Sequence, residues 1–168
     1  MACLLRDTIA MAADAVPPTV QRVPRRTAED VNRSIRRSTL ERIATAARGG
    51  PNAIDARLRA LDGEWDIERT LEANAAAASL LGLTLGALVH RRWFVFPAVV
   101  ASFLLQHAVQ GWCPPLPVFR RLGVRTAREI DEERTALKAL RGDFASVPKS
   151  TASPTADQAA TALAAAAK

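Results

Sequence analysis

Apolar positions fall into three regimes: sparse and periodic to about residue 65, nearly continuous from 71 to 112, and sparse again beyond. In the first, Val31, Ile35, Leu40, Ile43 and Ala47 mark one helical face and predict a helix over 28–48, opened by Thr27 with Asp30 and stopped by Gly49-Gly50-Pro51. A second helix is predicted over 52–62, with Asn52 as its cap and Ile54, Leu58, Leu61 and Trp65 as its apolar stripe. Arg57, Arg59, Asp55 and Asp62 take its wet side, and Gly63 is a point of interruption. Residues 1–24 carry Pro17, Pro18 and Pro24 without a sustained period and read as a disordered lead-in to a helical segment at 25–70. In the third regime, Cys113-Pro114-Pro115-Leu116-Pro117 opens a Pro-rich loop over 113–125 that is not expected to be helical. Thr126 with Glu129 then has capping-box spacing and begins an amphipathic helix over 126–144, bearing Ile130, Leu137, Leu140 and Phe144. Residues 145–168 form a low-complexity tail of Ala, Ser, Thr and Pro.

The central regime consists of two apolar runs, 71–89 and 93–112, joined by His90-Arg91-Arg92. At about 1.5 Å per residue each run is roughly 28–30 Å long, the thickness of a bilayer's hydrocarbon core. So short a connection makes the two helices antiparallel neighbours. Trp65, Trp93 and Trp112 fall at the ends of the runs, where amphipathic rings favour the headgroup level. Gly82 and Gly86, with Ala78 before them, form a small-residue stripe suited to close helix packing. Residues 75–89 are apolar around the whole helix, more than the core helix of a small soluble bundle requires. The fold expected is therefore all-α: an antiparallel two-helix transmembrane hairpin at 71–112, flanked by amphipathic cytoplasmic helices with disordered ends. Counted from a turn at Arg91, Asn74 reaches the level of Gln106, His107 and Gln110. Polar groups at membrane depth need partners, so these four are expected to form an intramembrane cluster that glues the helices together.

Composition narrows the function. The chain has 168 residues, enough for one domain, with 23 Lys and Arg against 17 Asp and Glu, a net charge of +6 and a mean hydropathy of +0.01. Both signs are interleaved at each end, so no cation stripe suited to nucleic acid forms. A helix-turn-helix over 28–62 is disfavoured as well, because Arg57 and Arg59 are balanced by Asp55 and Asp62. Cys3 and Cys113 make no disulfide framework, and with His90 and His107 they supply too few ligands for a zinc site. No catalytic set, cofactor site or metal site is expected. Met1 to Leu5 is apolar but broken by Arg6 and Asp7 before a signal-peptide core forms. Arg57, Arg59, Arg69, Arg120, Arg121, Arg125 and Arg128 flank the outer ends of the runs, whereas Arg91 and Arg92 alone lie in the loop. Positive-inside counting places both termini in the cytoplasm and the His90 loop outside.

The stretch Leu80 to Gly86, with Leu104-Leu105-Gln106-His107-Ala108, Gln110-Gly111-Trp112-Cys113-Pro114-Pro115 and Arg121-Leu122-Gly123-Val124, resembles the YgaP-like inner-membrane transmembrane domain family. Members are bacterial two-helix hairpins with a Gly-rich first span and a Gly-x-Cys-Pro element after the second, in some cases fused to a rhodanese sulfurtransferase. Residues 1–70 offer no rhodanese active-site loop, so the resemblance implies a multi-pass protein of the bacterial inner membrane without that activity. The expected function is a structural or interaction module, not an enzyme. Its partners would be the lipid bilayer and either a second copy or another membrane protein. The alternative is thiol or sulfane-sulfur handling through Cys113, the candidate reactive thiol, with Arg120, Arg121 and His107 as its nearest cationic groups in sequence.

Overall fold

The computed structural model describes residues 17–147 and 156–167, and every described element is helical. In chain order the helices are α1 (Arg22–Arg25), α2 (Glu29–Arg48), α3 (Pro51–Asp62), α4 (Ile67–Leu88), a 3-10 turn (Arg91–Phe94), α5 (Val95–Gln110), α6 (Leu116–Arg121), α7 (Ala127–Arg141) and α8 (Ala156–Ala167). The described residues gather into two compact units, 17–34 with Trp65–Thr126 and Ile35–Glu64 with 127–147 and 156–167.

The first unit contains the two apolar helices. Helix α4 begins four residues ahead of the apolar run because Asp66 caps it: its carboxylate accepts the Arg69 backbone N–H at 2.7 Å. A further first-turn donor, the Ile67 N–H, goes to the Arg125 carbonyl at 2.7 Å. His90 makes the turn, its ring Nδ1 accepting the Arg92 N–H at 3.1 Å, and Pro97 falls in the first turn of α5, where it withdraws no helical hydrogen bond. Where α4 and α5 pack, the two glycines are the contact points. A Cβ on Gly82 would lie 2.8 Å from Phe96 and Pro97, and one on Gly86 would lie 2.7 Å from the Phe94 ring. The small-residue stripe is therefore consumed by the chain's own second helix.

Beneath the open end of this pair, Val23, Ile67, Leu71, Cys113 and Leu116 form a buried cluster, with Trp112, Phe119 and Val124 against it. Two expectations are corrected here. Residues 17–24 are not a loose lead-in: Val23 is only 2% exposed, and Thr27 Oγ1 closes the α1 turn onto its carbonyl. Residues 1–16 lie outside the described residues. The Pro-rich stretch also contains helix α6, because a proline in a helix's first turn needs no N–H and has its φ preset. Arg120 on α6 is 1% exposed and donates to Thr27 Oγ1, Asn32 Oδ1 and the Val124 carbonyl, knitting the start of α2 to this cap.

The second unit packs the remainder of α2 with α3, α7 and α8. Ala46, Ile54, Leu58, Leu61, Ile130 and Leu137 form its core, with Ile43 beside them. The α2 face is thus rotated from the one expected: Leu40 is 56% exposed, and Ala46 rather than Ala47 is buried. Glu133 is fully buried and held by Arg57 at 2.7 and 3.1 Å, with Arg42 at 3.5 Å. Helix α3 starts on Gly50 and Pro51 rather than on an Asn52 cap, and α7 ends at Gly142, whose φ of 90° suits glycine. In the tail, α8 docks through Ala165, 2% exposed, and the Lys138 ammonium donates to the Ala166 carbonyl at 2.6 Å.

Candidate functional site

The polar residues of the first unit converge where α4 starts and α5 ends. Glu68, in the first turn of α4, is the hub. One carboxylate oxygen accepts from Arg22 at 2.8 Å and the other meets His107 Nε2 at 2.9 Å. Arg22 also donates to the Ala108 carbonyl at 2.7 Å, satisfying one of the orphan acceptors at the α5 C-terminus. The chain can pass this closely because Gly111 follows α5 with φ 74°; a Cβ there would lie 2.5 Å from the Arg22 backbone.

His107 is 2% exposed. A carboxylate can only accept, so Nε2 is the ring nitrogen that carries the proton toward Glu68. The other nitrogen, Nδ1, is buried and has no hydrogen-bond partner of good geometry. Cys113, 4% exposed, lies within interaction range of the imidazole. Carboxylate and imidazole are thus paired, with the buried thiol beside the imidazole.

Cys113 also forms part of the wall of an apolar groove of about 380 Å³ between α4 and α5, within the usual size range of small-molecule sites. Leu71, Ala75, Ala78, Phe96, Val100 and Leu104 are among its lining residues, with Asn74 as a polar side chain on the wall.

Of the four residues expected to cluster, His107 is buried but takes Glu68 rather than Asn74 as its partner, Gln106 is half-buried, and Asn74 and Gln110 are exposed. Sequence reading passed over Glu68 and Arg22. Glu68 lies three residues outside the apolar run, and the signal that could have found it is a carboxylate in a helix's first turn at the depth of a lone histidine. Gly82 and Gly86 are buried at the helix contact. Among the described residues, no group of three or more His, Cys, Asp or Glu is arranged to hold a metal ion.

Two segments, within 51–88 and 91–110, are long and apolar enough to cross a membrane, each reaching a mean hydropathy of 1.4. Only 17% and 6% of these apolar windows are buried by the rest of the chain. No protein-family model, no curated protein and no solved structure matches the chain.

Proposed function

We propose that the chain is a small integral membrane protein in which α4 and α5 form a transmembrane hairpin, serving as a structural or interaction module and not as an enzyme. One observation carries this reading. A core helix of a soluble protein is mostly covered by its neighbours, whereas here Leu80, Leu81, Leu88, Val89, Val95 and Leu105 are all more than half exposed. Apolar surface on that scale, contiguous along two helices, demands a hydrophobic surrounding. Helix length supports it too: the 22 residues of α4 span about 33 Å, against a hydrocarbon core of about 30 Å. Trp65 and Trp112 at one end and Trp93 at the other fit the two interfaces, and Arg69 stacks 4.3 Å above the Trp65 ring. The asymmetry of arginines favours both termini in the cytoplasm. The resemblance of Gly111-Trp112-Cys113-Pro114 to the YgaP-like element favours a bacterial inner membrane, with the bilayer and either a second copy or another membrane protein as partners. The test is whether the protein stays in the membrane pellet at alkaline carbonate pH and needs detergent to become monodisperse. Release by carbonate, or a monodisperse protein in plain buffer, overturns the reading in favour of a soluble bundle.

A second reading is that Cys113 is a reactive thiol, and the observation favouring it is the buried His107 imidazole within interaction range of it. Its test is alkylation by iodoacetamide in intact membranes. Cys113 is expected to react, and replacing His107 by Gln to slow the reaction; a thiol that stays unmodified until the membrane is dissolved defeats it.

A further inference from the structure

We propose that α6 lies in the headgroup layer of the leaflet where α5 ends, and that this end of the hairpin binds anionic phospholipid through Arg121 and Arg69. The proposal rests on the transmembrane reading of α4 and α5 and adds the class of lipid. Its starting point is that α6 is inside out. Leu116 and Arg120, one turn apart, are both buried, and the Arg120 guanidinium donates inward to Thr27 Oγ1, Asn32 Oδ1 and the Val124 carbonyl. Val118 and Leu122, also one turn apart, are both more than half exposed, with Arg121 exposed beside them. A helix that faces water turns its arginines outward and its aliphatic side chains inward. An outer face of two aliphatic side chains edged by one cation instead suits the boundary between acyl chains and headgroups.

The chain sets the level of that face. Only residues 111–115 separate α6 from the end of α5, and Trp112 lies among them. Leu116 packs with Ile67 and Leu71, so α6 stands beside the first turns of α4. Those turns carry Arg69, whose guanidinium lies 4.3 Å above the ring of exposed Trp65. Two tryptophans, an arginine and α6 thus share one level, the level that tryptophan rings favour in a bilayer. There Val118 and Leu122 reach the upper acyl chains, while the stems of Arg69 and Arg121 lie along apolar surface and lift their charged heads to the phosphates.

Charge selects the lipid. Arg69 and Arg121 form no ion pair among the described residues. In this unit, outside His90-Arg91-Arg92, arginines outnumber carboxylates. A guanidinium presents parallel N–H donors that match two phosphate oxygens. A zwitterionic headgroup carries its own cation beside the phosphate, so the net attraction belongs to an anionic one.

The experiment uses the full-length chain reconstituted in vesicles of equal parts phosphatidylcholine and phosphatidylglycerol. The protein is extracted in mild detergent, and the lipids that stay bound are read by native mass spectrometry. Phosphatidylglycerol is expected to exceed phosphatidylcholine among them by about tenfold, the scale that two arginines near an anionic surface provide. Arg69→Gln with Arg121→Gln should bring the two lipids to parity. Arg36→Gln with Arg37→Gln removes the same charge from the second unit and should leave the preference in place. For the position of α6, a bimane label on Leu122→Cys, in a chain carrying Cys3→Ser and Cys113→Ala, should be quenched by doxyl groups on the acyl chains and shielded from aqueous iodide. No lipid preference, an equal loss from either arginine pair, or a label open to iodide overturns the proposal, and carbonate resistance in the same preparation keeps the hairpin reading standing. Release by carbonate removes both. The lipid comparison on the unsubstituted chain holds even where a variant folds poorly.

Discussion

Gly82 and Gly86 share a spacing and a helix face, yet they face different neighbours. Opposite Gly82 stands the Pro97 ring, locked to its own backbone, together with the Phe96 side chain. Opposite Gly86 stands the ring of Phe94, which is 44% exposed and free to swing outward. Gly82→Val is therefore expected to destabilise the helix pair by about 1–3 kcal/mol, the usual cost of overpacking, whereas Gly86→Val costs clearly less. Unfolding of the two variants in detergent, followed by circular dichroism, checks the order; equal losses would mean that the Pro97 contact is not the constraint.

At the scale of elements, surface position along α4 separates exposed apolar residues from contact residues. Leu81 is 58% exposed and immediately precedes buried Gly82. On the proposed transmembrane reading, Leu81→Arg brings a charge near mid-bilayer, which costs about 2.5–3.5 kcal/mol on insertion scales, so the fraction of protein resisting carbonate should drop. Unchanged extraction would mean that α4 does not span. The helices themselves were largely legible in the sequence, because hydrophobic period and Gly-Pro stops are local signals: α2, α3 and α7 lie within a few residues of their expected ranges. What was not legible depends on distant partners. Helix α6 forms in a stretch whose prolines suggested a loop, since Pro117 falls in the first turn and Arg120 finds acceptors in α2 and its approach, far away in the chain. The α2 face turned toward Ala46 because α3 and α7 supply its core, a choice that Leu40 and Ala47 could not reveal alone. The candidate site was half legible. Cys113 and His107 stood out by type and position, but Glu68 and Arg22 were reached only through tertiary contact between the chain's early segment and the end of α5.

At the scale of the whole molecule, the two compact units depend on different physics. The first presents two apolar helices outward and is expected to draw its stability from a lipid surrounding. The second is a small helical core with polar clasps, where Glu133 is buried at 0% exposure between Arg57 and Arg42. Removing one partner of a buried ion pair leaves the other uncompensated, commonly at 3–5 kcal/mol, but Arg57 keeps 22% of its side chain exposed and can turn to water or to Glu64. Glu133→Ala is therefore expected to cost less, about 1–3 kcal/mol. The consequence reaches beyond one residue. Glu133→Ala should raise proteolysis of the second unit while carbonate resistance stays at the wild-type level; Leu81→Arg should do the reverse, lowering membrane retention without exposing sites in 35–64 or 127–141. Limited proteolysis with mass spectrometry on the pelleted and released fractions reads both outcomes in one preparation. If Glu133→Ala also releases the protein from membranes, the helical core is required for insertion and the units are energetically one. If neither variant alters the other's readout, the hairpin is an anchor that carries a separately folded helical unit.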